Sequence, residues 1–121
     1  MLEKALILAA KAHTGQVDKG GAPYILHPIR VMLACEGEKE KIVALLHDTL
    51  EDTALTAADL RRVGFPEEIV QAVCCLTRGQ KEDYMDYIAR ICENALAARV
   101  KYADLQDNLD IRRIPNPTEK D

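Results

Sequence analysis

The stretch His47-Asp48-Thr49-Leu50-Glu51-Asp52 places one imidazole and three carboxylates within six residues. One helix through it, at about 100° per residue, would gather these four side chains in an arc of about 140°. Unpaired carboxylates are costly to bury, whereas a divalent cation among them reverses the local electrostatics. Apolar neighbours favour a core helix over a solvated acidic face with a chance histidine: Ile42, Val43, Leu45, Leu46 and Leu50. The stretch therefore predicts a helix built around a cation.

The overall composition indicates one soluble domain. A chain of 121 residues is long enough for one core and too short for two. Its net charge of −4 leaves no basic footprint, so we expect no nucleic-acid partner. No apolar run approaches the roughly 20 residues that span a bilayer, so we expect no membrane partner either.

The cysteines and the N-terminus favour a cytoplasmic protein. Cys35, Cys74, Cys75 and Cys92 match neither a zinc CxxC pair nor a secreted disulfide framework. Residues 1–4 lack the charged, apolar and cleavage regions of a signal peptide. We therefore expect free thiols and a cytoplasmic location.

Apolar periodicity and capping residues predict an all-α fold, a single compact domain of six to seven helices. Thr56 with Asp59 three residues later is typical of an N-cap, and Gly64 ends that helix. Pro66 starts the next helix. The expected helices cover residues 2–16, 27–35, 39–51, 56–64, 66–76, 83–93 and 94–109. Thr118 again begins a helix, so we expect the domain, residues 1–121, to lack a further C-terminal helix.

Two other places carry candidate site residues. His27 stands where a loop becomes a helix, although a lone histidine there is more often a capping or packing residue than a ligand. Lys101, Asp104 and Asn108 would fall within about 60° of one another on a helix. A lysine and an aspartate at this spacing are usually a surface pair, yet their helix is largely apolar.

Four blocks of sequence resemble the HD-domain metal-dependent phosphohydrolases, specifically the RelA/SpoT-type hydrolase domain and its small stand-alone relatives. They are AHTGQ at 12–16, PYILHP at 23–28, LLHDTLEDT at 45–53 and KYADLQDN at 101–108. The resemblance covers roughly residues 5–110, and four ordered blocks are far more specific than a lone His-Asp dipeptide.

The resemblance implies one metal ion held by four side chains: His27, His47, Asp48 and Asp104. Two imidazoles and two carboxylates, with room for water, suit a six-coordinate ion, and we expect Mn²⁺. Only three histidines are present, which argues against the histidine-rich two-iron variants of this superfamily.

The resemblance also implies roles for residues around the ion. Glu51 and Asp52 match the pair that orients and activates the attacking water, and a carboxylate can take its proton as a general base. Lys19, Lys101 and Asn108 match positions near the nucleotide or its phosphates, although an exposed loop lysine such as Lys19 is usually only solvated.

Two further residues bear on the resemblance. His13 falls on the buried stripe of the first helix, and we expect a structural role or one behind the ligands. Asp18 stands where the family usually has an arginine, which should weaken purine stacking or phosphate binding. The change at Asp18 does not touch the expected ligands or the carboxylate pair.

The leading hypothesis is a phosphohydrolase that removes the 3′-pyrophosphate of guanosine tetra- or pentaphosphate (ppGpp or pppGpp). One alternative is hydrolysis of another nucleotide. Others are a non-catalytic metal- or nucleotide-binding module and a structural helical domain without metal. The expected partner is a small nucleotide substrate. The sequence leaves the oligomeric state open, and a homodimer is possible.

Overall fold

The computed structural model describes residues 1–109, which form eight α-helices and no β-strand beyond one isolated bridge between Val17 and Pro23. The helices are α1 (Leu2–Ala12), α2 (Leu26–Ala34), α3 (Glu38–Leu46), α4 (Thr49–Asp52), α5 (Ala57–Val63), α6 (Glu67–Cys75), α7 (Tyr84–Cys92) and α8 (Ala95–Asn108). The predicted all-α class is confirmed. The helix start expected at Thr118 lies outside the described residues.

Helix α3 is the centre of the domain. Its last five residues, from Ile42 to Leu46, are all buried, so this part of the helix has no solvent face. It packs against α1, α2, α6 and α8. Because side chains surround it on all sides, α3 is a rigid support for the residues that follow it.

Local signals correctly predicted the ends of α5. The Thr56 side chain accepts a hydrogen bond from the Asp59 N–H, and the Asp59 side chain accepts one from the Thr56 N–H. Gly64 ends the helix with φ of +105°, a conformation that favours glycine. Pro66 is the N-cap of α6 and not its first helical residue.

The single helix predicted over 39–51 is wrong, because the chain breaks after Leu46 and turns through His47 and Asp48 into α4. Side chains take the carbonyls that a continuous helix would use. His47 Nδ1 donates to the Ala44 carbonyl at 2.6 Å, and Thr49 Oγ1 donates to the Leu46 carbonyl at 2.8 Å. In an unbroken helix these carbonyls would accept from residues 48 and 50.

Other departures from the sequence prediction are smaller. Helix α1 ends at Ala12 instead of residue 16. All four cysteines are free, as expected. In the described part of the chain, every helix is too short or too polar to cross a membrane.

We predict that Leu45→Ala lowers the free energy of unfolding by about 2–5 kcal/mol, because it opens a cavity in the centre of the core. Leu33→Ala on α2 is the matched control, since Leu45 is fully buried and Leu33 is 68% exposed. Urea unfolding followed by circular dichroism measures both variants. Equal losses of stability would contradict the central position of α3.

Candidate metal centre

Three helices bring two histidines and an aspartate to one buried point. His27 lies in the first turn of α2, His47 directly follows α3, and Asp104 lies on α8. Asp104 Oδ1 is 2.8 Å from His27 Nε2 and 3.2 Å from His47 Nε2. All three residues are buried, and together they form a possible metal-binding group.

Asp48, the fourth predicted ligand, lies beside this group. Its Oδ2 lies 3.1 Å from His47 Nε2 and 4.0 Å from His27 Nε2, and it accepts a hydrogen bond from the Tyr24 hydroxyl. The helix break after Leu46 turns Asp48 toward the same point as His47. The structure thus groups His27, His47 and Asp104. A turn, and not one helix face, places Asp48 beside His47.

The hydrogen bonds of the two rings orient their Nε2 atoms toward this point. His47 Nδ1 bonds to a carbonyl, which can only accept, so Nδ1 carries the proton. His27 Nδ1 bonds to Asp107 Oδ2 at 2.6 Å. Each Nε2 therefore presents a lone pair to Asp104. A second proton on the ring would occupy this lone pair.

This donor set fits a divalent cation. Ligand atoms about 2.1 Å from one six-coordinate ion lie about 3 Å from each other. The separations of 2.8 and 3.2 Å within the group of His27, His47 and Asp104 have that size, as does the 3.1 Å between His47 and Asp48. A histidine that donates its second N–H to a carboxylate or carbonyl is also the usual arrangement of a metal ligand.

The charges of the site compensate one another in the absence of an ion. Burial lowers the pKa of His47, but Asp48 and Asp104 outweigh it and hold this pKa well above its ordinary value. Burial raises the pKa of Asp104, but hydrogen bonds from His27 and His47 hold it far below its ordinary value. These shifts favour a positive charge on His47 beside the two carboxylates.

A second group of carboxylates lies beside the first. Oxygens of Asp48, Glu51 and Asp52 lie within 4.8 Å of one another. Glu51 Oε1 accepts the Arg78 main-chain N–H at 2.8 Å, which fixes its orientation. Burial raises the pKa of Asp52, and the charges of Asp48 and Glu51 raise it further.

Two curated proteins illustrate what this chain is similar to in sequence. A guanosine-3′,5′-bis(diphosphate) 3′-pyrophosphohydrolase of Aquifex aeolicus is 32% identical over 120 residues, covering 89% of the chain. The bifunctional (p)ppGpp synthase/hydrolase SpoT of Escherichia coli is 31% identical over 124 residues, again 89% of the chain. The chain spans 17% of the length of each. No family model matches.

A solved structure shows the same architecture over nearly the whole chain. It is a metazoan ortholog of SpoT that hydrolyzes ppGpp, with a TM-score of 0.80 and 26% identity. The match covers 97% of this chain and 72% of that one. The chain is thus similar to the RelA/SpoT-type HD-domain hydrolases in both sequence and fold. The resemblance of its four sequence blocks to this family is therefore confirmed.

Two of the three residues that the RelA/SpoT resemblance assigns to the nucleotide border the candidate metal centre. Lys101 Nζ lies 3.1 Å from Asp104 Oδ2, and Asn108 Nδ2 lies 3.5 Å from Asp104 Oδ1. Lys19 is exposed on the loop that joins α1 to α2. Its place near the phosphates stays a prediction.

The sequence reasoning missed several residues that support this RelA/SpoT-type site. Asp107 and Tyr24 lie inside the recognised blocks, one turn after Asp104 and three residues before His27, but neither was given a role. Gln16 donates to the Asp52 main-chain carbonyl at 3.0 Å. His13 is buried and bonds to Gln16 Oε1 at 2.8 Å, which agrees with a supporting role.

We predict that the metal-free protein loses stability as pH rises through the folded-state pKa of His47. This pKa is raised above the ordinary 6.5, so protonation favours the folded state. The contribution is fully present below the unfolded pKa and disappears above the folded one. With a chelator present, the free energy of unfolding should fall as pH rises above 6.5.

His47→Gln should flatten this decline because it removes the titrating group. Saturating Mn²⁺ should reverse its direction, since a metal ion binds the neutral imidazole and competes with protons. Stability of the chelated wild-type protein that rises with pH across this range would contradict the assignment.

Proposed function

We propose that this chain is a metal-dependent phosphohydrolase that removes the 3′-pyrophosphate of ppGpp and pppGpp. The products would be pyrophosphate with GDP or GTP. The observation that carries the proposal is the meeting of His27, His47 and Asp104 at one buried point, with a second group of carboxylates beside it. Asp48 of that second group lies next to His47. The names of the Aquifex and metazoan relatives support the substrate. We take the whole chain, residues 1–121, as one such domain.

His27, His47, Asp48 and Asp104 would hold one divalent ion in this proposal. Two imidazole nitrogens and two carboxylate oxygens without a thiolate favour Mn²⁺ over ions that prefer sulfur. When bound, the ion supplies positive charge that acidifies water and neutralises phosphate oxygens. The ligand side chains must lose their protons to bind it, as the pH prediction above requires.

In this proposal, Glu51 and Asp52 have different roles toward the attacking water. Glu51 is held by the Arg78 main-chain N–H, so its free oxygen can orient a water molecule by accepting a hydrogen bond. Asp52 has a raised pKa because of burial and of its acidic neighbours Asp48 and Glu51. A carboxylate whose pKa is shifted toward neutrality is the better proton acceptor, and we assign Asp52 as the general base.

The proposed reaction balances as a single displacement at phosphorus. The water oxygen bonds to the 3′-phosphorus nearest the ribose, and the bond from this phosphorus to the 3′ oxygen breaks. The water proton passes to Asp52, and the 3′ oxygen takes up a proton to become a hydroxyl. Pyrophosphate leaves with the oxygen that came from water.

Lys101, Asn108 and Lys19 would bind the nucleotide. The Lys101 ammonium donates one of its three hydrogen bonds to Asp104 and lies over the Tyr87 ring at 5.5 Å. Its other two N–H groups are then available to phosphate oxygens. Attraction of the anionic substrate must be local, because the whole chain carries a net charge of −4. A free nucleotide and four free thiols both fit a cytoplasmic enzyme.

A second candidate function is hydrolysis of a different nucleotide, and the turn after α1 favours it. Asp18 Oδ1 accepts the main-chain N–H groups of Gly20 and Ala22, so its carboxylate closes this turn. An anion thus stands next to Lys19, where it opposes a highly charged phosphate chain. Assays of Mn²⁺-loaded protein on ppGpp, pppGpp and ordinary nucleotides separate the two candidates.

We predict that Glu51→Gln keeps metal binding but lowers the rate of ppGpp hydrolysis by about 10²–10⁴-fold. Glutamine can still accept the Arg78 N–H, so the loop should stay in place while the charge is lost. Pyrophosphate release and Mn²⁺ content are measured on the same sample. Glu68→Gln, on the surface of α6, is the control and should leave both unchanged.

The catalytic assignment fails if Glu51→Gln hydrolyses ppGpp as fast as the wild-type protein. It also fails if the wild-type protein, loaded with Mn²⁺, hydrolyses no nucleotide in the screen. The second result would favour a non-catalytic binding module.

A further inference from the structure

A line of hydrogen bonds leads from the candidate metal centre to a charged residue that the proposed chemistry does not use. Asp107 accepts from two partners on α2, through Oδ2 from His27 Nδ1 at 2.6 Å and through Oδ1 from Arg30 Nε at 2.8 Å. His27 and Arg30 are three residues apart and share one face of α2. Asp104 and Asp107 have the same spacing on α8. In the contact between the two helices, α8 thus contributes two acids, and α2 contributes a histidine and an arginine.

This ion pair differs from the surface pairs of the same protein. The Asp107 side chain is 11% exposed and that of Arg30 is 31% exposed, whereas the Arg61 and Glu67 side chains are 48% and 57% exposed. Solvent screens an exposed pair, so it has little influence on its surroundings. The pair of Arg30 with Asp107 is largely removed from water, and its charges act on His27 at close range.

The pair is also poorly arranged for stability alone. Arg30 Nη2 is buried and has no hydrogen-bond partner among the described residues. A buried donor without a partner carries a desolvation penalty of about 1–3 kcal/mol. Such a cost is understandable if the guanidinium is needed beside Asp107 for another reason.

We propose that Arg30 and Asp107 set the metal affinity of the site by acting through His27. Asp107 keeps the proton on His27 Nδ1 and fixes the ring, so Nε2 presents its lone pair to the ion. Arg30 orients the Asp107 carboxylate and balances its charge. Both are positioning residues, because neither touches the ion or the substrate. The inference rests on the proposed metal centre, but not on which nucleotide is hydrolysed.

A purely structural pair that ties α2 to α8 would give a different result. Its loss would lower the stability of the fold but would leave the affinity of the folded protein for metal unchanged. The dissociation constant for Mn²⁺ therefore separates the two roles, and it requires no turnover.

The experiment measures Mn²⁺ binding by calorimetry on metal-free protein that circular dichroism shows to be folded. Asp107→Ala should weaken binding by about 10–100-fold, the usual effect of losing a partner behind a histidine ligand. Arg30→Ala should weaken it less, by about 2–10-fold, because Asp107 remains. Arg61→Ala is the control, since it also removes an arginine paired with a carboxylate, but the pair with Glu67 is exposed and lies on other helices. Its affinity should stay within about 2-fold of wild type.

The double variant Arg30→Ala/Asp107→Ala tests whether Arg30 acts through Asp107. If it does, the double variant should bind Mn²⁺ no more than about 2-fold more weakly than Asp107→Ala. The loss of Arg30 then adds little once Asp107 is absent. If the double variant loses Mn²⁺ affinity by the product of the two single losses, the role given to Arg30 is overturned. If Asp107→Ala does not fold, Asp107→Asn preserves the shape and decides, because an amide cannot replace the carboxylate toward both donors.

Wild-type affinity in folded Asp107→Ala or Asp107→Asn would overturn the inference while the proposed metal centre stands. A wild-type protein that binds no Mn²⁺ would overturn both. Normal binding with no ppGpp hydrolysis would count only against the proposed function.

Discussion

Two imidazole nitrogens and one carboxylate oxygen lie within hydrogen-bonding distance at a point largely shielded from water. The rest of the structure depends on which positive charge compensates them there. Asp104 Oδ1 lies within 3.2 Å of both Nε2 atoms, and each ring has already committed its Nδ1–H elsewhere. Lone pairs facing a carboxylate in a buried place require added positive charge. The raised pKa of His47 allows a proton to supply part of it, and a divalent ion would interact with both rings and both acids at once.

The fold meets this requirement by combining a rigid support with an interrupted helix. Helix α3 is surrounded by four other helices, so the position of its last residue, Leu46, is tightly fixed. The chain then leaves the helix for two residues, His47 and Asp48, before α4 begins. Because of this turn, the two side chains can reach the same point. The next turn of chain, α4, carries the carboxylate pair beside them.

Sequence patterns predicted the scaffold well where local signals decide it. The capping box at Thr56 and Asp59 and the glycine at position 64 are complete within nine residues, so the ends of α5 could be predicted. The break at His47 could not, because apolar periodicity continues through it. Its cause is a pair of side-chain hydrogen bonds to the Ala44 and Leu46 carbonyls, which compete with the helix and leave no mark on the periodicity.

In the candidate site too, residues close together in the sequence could be predicted, whereas contacts between distant residues could not. The acidic stretch alone pointed to a cation, but His27 had no signal of its own, and the set of four side chains came from the family resemblance. The structure brings three of them, His27, His47 and Asp104, into one group, and Asp48 lies beside His47. Asp107 and Arg78 were missed because their partners, His27 and Glu51, lie 80 and 27 residues away along the chain. Only the folded chain reveals such pairs.

A crystal of the protein grown with Mn²⁺, with anomalous diffraction recorded at the manganese edge, tests the central claim most directly. The account predicts one anomalous peak about 2.0–2.3 Å from His27 Nε2, His47 Nε2 and carboxylate oxygens of Asp48 and Asp104. A peak held only by the outer carboxylates, with both rings still hydrogen-bonded to Asp104, would contradict it. So would the absence of any peak at saturating Mn²⁺.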